Sequence, residues 1–127
     1  MKYQLELLRS PGTSPKDDLN QSFVYVFRLT GNLILDCADE FNLLMNTLAR
    51  GGMKKVVFDL SELKYVDSTG IGMFLQITKL VRAQGGDLVF LDANPKILEI
   101  FSLVKLNDFI SFLISEKQVV DYFFPTK

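Results

Sequence analysis

The chain has 127 residues, 48% of them hydrophobic and 23% charged, which excludes pervasive disorder and fits one domain spanning 1–127 with one core. Its 14 basic and 15 acidic side chains leave a net charge of −1 with no clustered basic face, which argues against direct nucleic-acid binding. No histidine is present and Cys37 is the only cysteine, so a Ser-His-Asp triad, a phosphohistidine relay, a His-ligated metal and an internal disulfide are all excluded.

Along the chain, residues 3–8 alternate polar and apolar side chains as a strand does, with no signal-peptide pattern at the start. Residues 9–21 hold two prolines, a glycine and several small polar residues, and read as a flexible loop. Phe23 to Leu29 is a β-branched and aromatic run, hence a second strand hairpin-paired with the first, and Thr30-Gly31-Asn32 is expected to end it. From Asp36 the period becomes helical through Ala38, Phe41, Leu44, Met45 and Leu48, stopped by Gly51-Gly52. Cys37, at the start of this helix, reads as a small packed residue.

Val56-Val57-Phe58 is a short apolar strand of the kind covered on both faces in a parallel sheet. A second helix carries Ile71, Phe74, Leu75, Thr78 and Val81 and is closed by Gly85-Gly86. Leu88 to Leu91 is the next strand, and Asn94 then Pro95 supply an N-cap and a first helical position for a helix through Ile97, Ile100, Phe101 and Val104. Phe109 to Ile114 reads as the last strand. Ser115-x-x-Gln118 opens a C-terminal helix whose Phe123-Phe124 pack on the sheet, ending at Pro125. The order ββαβαβαβα implies an α/β fold with a mostly parallel sheet and an antiparallel N-terminal edge strand. No apolar run approaches the ~18 residues of a membrane span, so a cytoplasmic location is expected.

The segment best placed for chemistry is Val66-Asp67-Ser68-Thr69-Gly70-Ile71-Gly72, between a strand and the helix after it. Two hydroxyls and a carboxylate meet there with free backbone N–H groups and the positive end of the helix dipole, and the glycines let another molecule come close. On position alone the leading reading is a simple N-cap provided by Ser68 or Asp67. A dinucleotide loop fails because Leu75 takes the third glycine position, and no P-loop pattern exists. Asp59, after a buried run, sits where a receiver domain carries its phosphoacceptor, but the acidic pair needed for magnesium is missing; it reads as a strand-end residue bonding nearby backbone.

Strand, Asp-Ser-[Ser/Thr]-Gly-[Leu/Ile]-Gly, helix resembles the STAS family, in particular the bacterial anti-sigma factor antagonists. Arg28-Leu29-Thr30-Gly31-Asn32-Leu33, Lys55 to Ser61 and Gly85 to Phe90 extend the resemblance over roughly residues 22–123. It implies a non-enzymatic switch. Ser68 would be phosphorylated by an anti-sigma factor that is itself a serine kinase, and a phosphoserine phosphatase would reset it. The unphosphorylated form would capture the anti-sigma factor and free a sigma factor. The expected docking surface combines Asp67, Ser68, Thr69, Gly70, Ile71, Gly72 and Met73, the last taken as exposed, with the loop Gly31, Asn32, Leu33 and Ile34. No cofactor or metal is implied. Three departures stand out: Ile34 replaces a carboxylate common in the family, a glycine common after the third helix is replaced around Lys105, and the loop at residues 9–21 is longer than is usual there. The first of these also suits a second role, a STAS scaffold subunit of a larger signalling or lipid-transport complex without a phosphoswitch.

Overall fold

Alternating side chains on the central strands build two apolar layers, one on each face of a single sheet. The computed structural model describes residues 1–10 and 23–125, with the Cys37 side chain outside that description, so its expected packing lies outside the described residues. Five strands lie in sequence order: β1 (Lys2–Arg9), β2 (Phe23–Leu33), β3 (Lys55–Val66), β4 (Asp87–Leu91) and β5 (Phe112–Leu113). β1 is antiparallel to β2, and every other neighbouring pair is parallel. The expected architecture is therefore the observed one. The loop read over residues 9–21 falls outside the described residues apart from its first two positions, of which Arg9 closes β1.

Four helices are described: α1 (Leu35–Arg50), α2 (Ser68–Ala83), α3 (Pro95–Leu103) and α4 (Glu116–Phe123). Tyr25, Phe27, Leu29, Phe58, Leu60 and Phe90 point to the face covered by α1, α2 and α3, and form the main core with Phe41, Phe74 and Phe101 from those helices. Val24, Val26, Val57, Val89 and Leu91 alternate with them on the opposite face, where Val119, Phe123 and Phe124 of the α4 segment cover them. The C-terminal aromatics thus pack on the sheet, as their spacing predicts.

Four boundaries differ from expectation, each for a local reason. β2 runs past Thr30-Gly31-Asn32 to Leu33 because Gly31, at φ 93°, absorbs a shift of register against β3. β3 runs on from Phe58 to Val66 because Leu60, Leu63 and Val66 are buried while the polar residues between them mask the pattern. α3 stops at Leu103, leaving Val104 exposed, since Lys105 adopts a left-handed conformation at φ 57°. This is the place where the family's glycine is replaced, and such a backbone favours glycine. The last strand is cut to Phe112–Leu113 because Leu106 and Ile110 are buried at helical spacing around a short 3₁₀ turn, Leu106–Asp108, in which the Phe109 N–H donates to the Leu106 carbonyl at 3.0 Å.

Asn94 caps α3 as predicted, its Oδ1 accepting from the Ile97 N–H at 3.1 Å. Its Nδ2 also donates to the carbonyls of Leu60 (3.0 Å) and Leu63 (2.7 Å), so the same amide pins the outgoing part of β3. Asn94→Ala is expected to cost about 2–3 kcal/mol, one cap plus stranded carbonyls, read as a lower urea midpoint at unchanged slope.

Candidate functional site

The carboxylate of Asp67 organises the C-terminal edge of the sheet. Asp67 lies between β3 and α2 with extended backbone, and its Oδ1 accepts from the Gly70 N–H at 2.9 Å, making it the N-cap of α2. Its Oδ2 accepts from the Leu35 N–H at 3.0 Å, at the first position of α1. Of the two capping candidates read from the sequence, Asp67 takes the role. Ile34 precedes α1 and has no side-chain oxygen to offer, so the motif carboxylate supplies what that position lacks.

Backbone bonds fix the rest of the junction. The Asp67 N–H donates to the Leu33 carbonyl at 3.2 Å, and the Ile71 N–H donates to the Asp67 carbonyl at 3.0 Å. Gly70 is buried against Leu33 and Val66: a Cβ there would lie 2.8 Å from the Leu33 carbonyl oxygen and 2.5 Å from Val66 Cγ2. Gly72, two residues on, is exposed, with nothing within 4 Å of the place its Cβ would occupy.

Ser68 is therefore free of capping duty. It is exposed at the first position of α2, with Thr69 half-buried beside it. The N–H groups of these two residues stand in the first turn, where no carbonyl one turn earlier can receive them. An added anion would meet those donors and the positive end of a 16-residue helix.

The expected docking residues divide. Ser68, Gly72 and Asn32 are exposed, and Asp67, Thr69, Ile71, Gly31 and Ile34 are half-buried around them. Leu33, Gly70 and Met73 are a correction: all three are buried, Met73 at 4% exposure, and they hold the site from beneath. The physical reason is register. Met73 follows Gly70 by three positions and so shares its inward face of α2, and Leu33 pairs with Val66 inside the sheet.

Sequence reasoning missed two neighbours. Leu35 is 62% exposed at the start of α1, where its N–H bonds to Asp67, and Tyr65 is 46% exposed on β3 opposite Asn32, so both segments that meet at Asp67 carry exposed apolar side chains. The signal for Leu35 was its place one residue before the helical period begins at Asp36. A shallow groove of about 310 Å³ also opens between α1 and α2, edged by Asp39, Asn42, Thr69, Gly72 and Gln76.

Asp59 is no phosphoacceptor site. It is buried on β3, its Oδ2 is 2.6 Å from the Arg28 guanidinium, and its Oδ1 accepts from the Ser61 N–H and hydroxyl at 3.0 and 2.8 Å. It bonds nearby backbone as read from the sequence, but it stands inside β3 and not at the end of a strand, because Arg28 of β2 pairs its charge. Arg28 also holds Glu6 of β1, and the bond to Glu6 leads the causes that raise its pKa above the ordinary arginine value. Among the described residues no group of three or more His, Cys, Asp or Glu side chains is placed to hold a metal, and no helix is long and apolar enough to cross a membrane.

Comparison with known proteins places this geometry among relatives. Residues 16–119 match the STAS domain. The anti-sigma F factor antagonist of Paenibacillus polymyxa is 30% identical over 87 residues, covering 65% of this chain and 74% of that protein. The structure of the anti-sigma factor antagonist SpoIIAA in its unphosphorylated form superposes with a TM-score of 0.69 at 19% identity, over 98% of this chain and all of that one (100%). The Bacillus cell fate determinant SpoIIAA in its phosphorylated form superposes with a TM-score of 0.68 at 20% identity, over 95% of this chain and 98% of that one.

Proposed function

The chain belongs to the STAS domain family, and from that membership we propose that it is an anti-sigma factor antagonist, a protein-binding switch turned off by phosphorylation of Ser68. The observation that carries this reading is the division of labour in the motif. Asp67 does the capping, which leaves the Ser68 hydroxyl exposed on a backbone held rigid by the bonds around it.

In its unphosphorylated form the chain presents Ser68, Thr69 and Gly72 with Gly31, Asn32 and Ile34 to an anti-sigma factor that is also a serine kinase, freeing a sigma factor in the cytoplasm. Ile71 and Asp67 contribute the edge of this surface, and Leu33, Gly70 and Met73 support it. The chain supplies the hydroxyl that is modified and no catalytic group. A phosphate adds a charge of about −1.5 to −2. It arrives beside Asp67, on the sheet edge that also carries the exposed Leu35 and Tyr65, so a contact that must shed water there becomes unfavourable. The helix N-terminus offers the phosphate local donors, so release needs no refolding. That both forms of SpoIIAA superpose on this chain equally well supports a switch of this kind. A phosphoserine phosphatase closes the cycle.

Ser68→Ala is expected to keep wild-type affinity for the cognate kinase and to resist release, whereas Ser68→Glu is expected to bind at least about tenfold more weakly, ~1.4 kcal/mol. Titration calorimetry measures both, alongside mass spectrometry of Ser68 in protein taken from growing and stressed cells. Equal affinities for the two variants would sink the switch. Ile34, in place of the family's carboxylate, supports the second reading, a STAS scaffold in a larger signalling or lipid-transport complex. A Ser68 that stays unmodified in every condition would favour that role.

A further inference from the structure

The strand at the edge of the sheet is built to pair again. β1 bonds to β2 along its whole length, Lys2 opposite Thr30 through Arg9 opposite Phe23, with no register shift and no proline. Its other side has no neighbour among the described strands. Tyr3, Leu5 and Leu7 lie opposite Leu29, Phe27 and Tyr25, so they continue the apolar layer of the main core. Yet they remain 48%, 46% and 41% exposed, although the Tyr3 ring rests on Phe41 of α1 with the two centroids 5.2 Å apart. A cleft of about 450 Å³ opens beside that contact, between Met1 and Tyr3 on one side and Glu40, Leu43 and Leu44 of α1 on the other, and Leu43 is 69% exposed. Proteins ordinarily blunt such an edge with proline, a bulge or an inward-pointing charge. β1 has none of these on its apolar face.

We propose that this edge is an interface between two copies of the chain, with β1 antiparallel to its counterpart about a two-fold axis at Gln4. The segment Met1-Lys2-Tyr3-Gln4-Leu5-Glu6-Leu7 is self-complementary in this register. Residues directly opposite each other in an antiparallel pair share a face, so only registers that match odd positions with odd ones keep the apolar rows together. With the axis at Gln4, Tyr3 meets Leu5 and Met1 meets Leu7, each pair occurring twice. On the other face Lys2 meets Glu6, also twice, which gives favourable opposite-charge cross-strand pairs. With the axis at Leu5, Lys2 faces Leu8 and both charge pairs are lost. With the axis at Glu6, the two copies of that carboxylate oppose each other. A ten-stranded sheet results, and α1 of each copy flanks the joined apolar row. The two-fold axis turns the motif-bearing edges in opposite directions, so each copy keeps its Ser68 surface open. This proposal stands independently of the phosphoswitch.

Sedimentation velocity of the full chain over a concentration series tests it. The expected result is a dimer that Lys2→Glu converts to monomer, by setting like charges opposite each other at two places. Lys2 and Gln4 are exposed, so neither substitution touches the core, and circular dichroism confirms that the variants are folded. Directly opposed residues bring their Cα atoms to about 4.5–5.5 Å, within reach of a disulfide. Gln4→Cys in a Cys37→Ser background is therefore expected to give a covalent dimer on mild oxidation. A wild-type chain that stays monomeric to its solubility limit would overturn the pairing and leave β1 to a different partner. So would a dimer that survives Lys2→Glu or fails to cross-link through the Gln4→Cys variant, since its interface would then lie elsewhere.

Discussion

Alanine at Gly70 is expected to lower stability by about 2–3 kcal/mol, while alanine at Gly72, two residues on, raises it by about 0.5–1 kcal/mol. The two glycines belong to one motif and one helix, but their surroundings are opposite. At Gly70 the new methyl group would lie 2.8 Å from the Leu33 carbonyl oxygen, 2.9 Å from Leu33 Cγ and 2.5 Å from Val66 Cγ2. The side-chain atoms can give way by rotation; the carbonyl cannot, because it accepts the Asp67 N–H that sets the start of α2. The helix must move away from the end of β2, and the serine surface moves with it. Gly72 has open space around it and a helical backbone that alanine adopts more readily than glycine. Paired urea titrations with binding measurements separate stability from function. Gly70→Ala should lose both. Gly72→Ala should gain stability yet weaken partner binding, since a docking partner that uses the bare backbone there meets a methyl group. A more stable Gly72→Ala variant that binds normally would remove Gly72 from the docking surface.

The larger loss is expected in the core. Phe90 on β4 has ring centroids of Phe74 and Phe101 at 5.1 Å, Phe112 at 5.2 Å and Phe58 at 6.5 Å around its own. It therefore joins β3, α2, α3 and β5 through aromatic contacts, and it is fully buried. Phe90→Ala removes the apolar transfer term and leaves a cavity lined by rigid rings that cannot collapse into it. The cost is about 3–5 kcal/mol, a drop in melting temperature of roughly 10–20 °C for a domain of this size. Differential scanning calorimetry measures it directly. A drop of only a few degrees would show that Phe74 and Phe101 close over the space.

Much of this architecture was legible in the sequence because its signals are local. Helical spacing from Ala38 to Leu48, the Asn94-Pro95 start and the Ser115 cap each depend on neighbours a turn away, and each stands in the structure; Ser115 Oγ accepts from the Gln118 N–H at 3.2 Å. The long run of β3 was hidden because Asp59, a buried charge, looks like a strand end until Arg28 is brought to it from β2. Lys105 is similar: nothing in a lysine announces a left-handed backbone. In the site, the serine and its neighbours could be found from the motif. Which of them face outward could not, because that depends on how α2 leans on Leu33 and Val66. Met73 looks available in a list of residues and is enclosed in three dimensions.

Asp67 makes the beginnings of α1 and α2 common property, since its two oxygens each receive one helix's amide. The motif is consequently not a portable cassette. Grafted onto another strand–helix junction, Val66 to Gly70 would arrive with half of its fastenings, and one carboxylate oxygen would be left facing solvent. The smallest transplantable unit is discontinuous: Leu33 to Leu35 together with Val66 to Gly70, at the parallel spacing that β2 and β3 impose. Anyone redesigning the specificity of this edge must treat the two segments as one part.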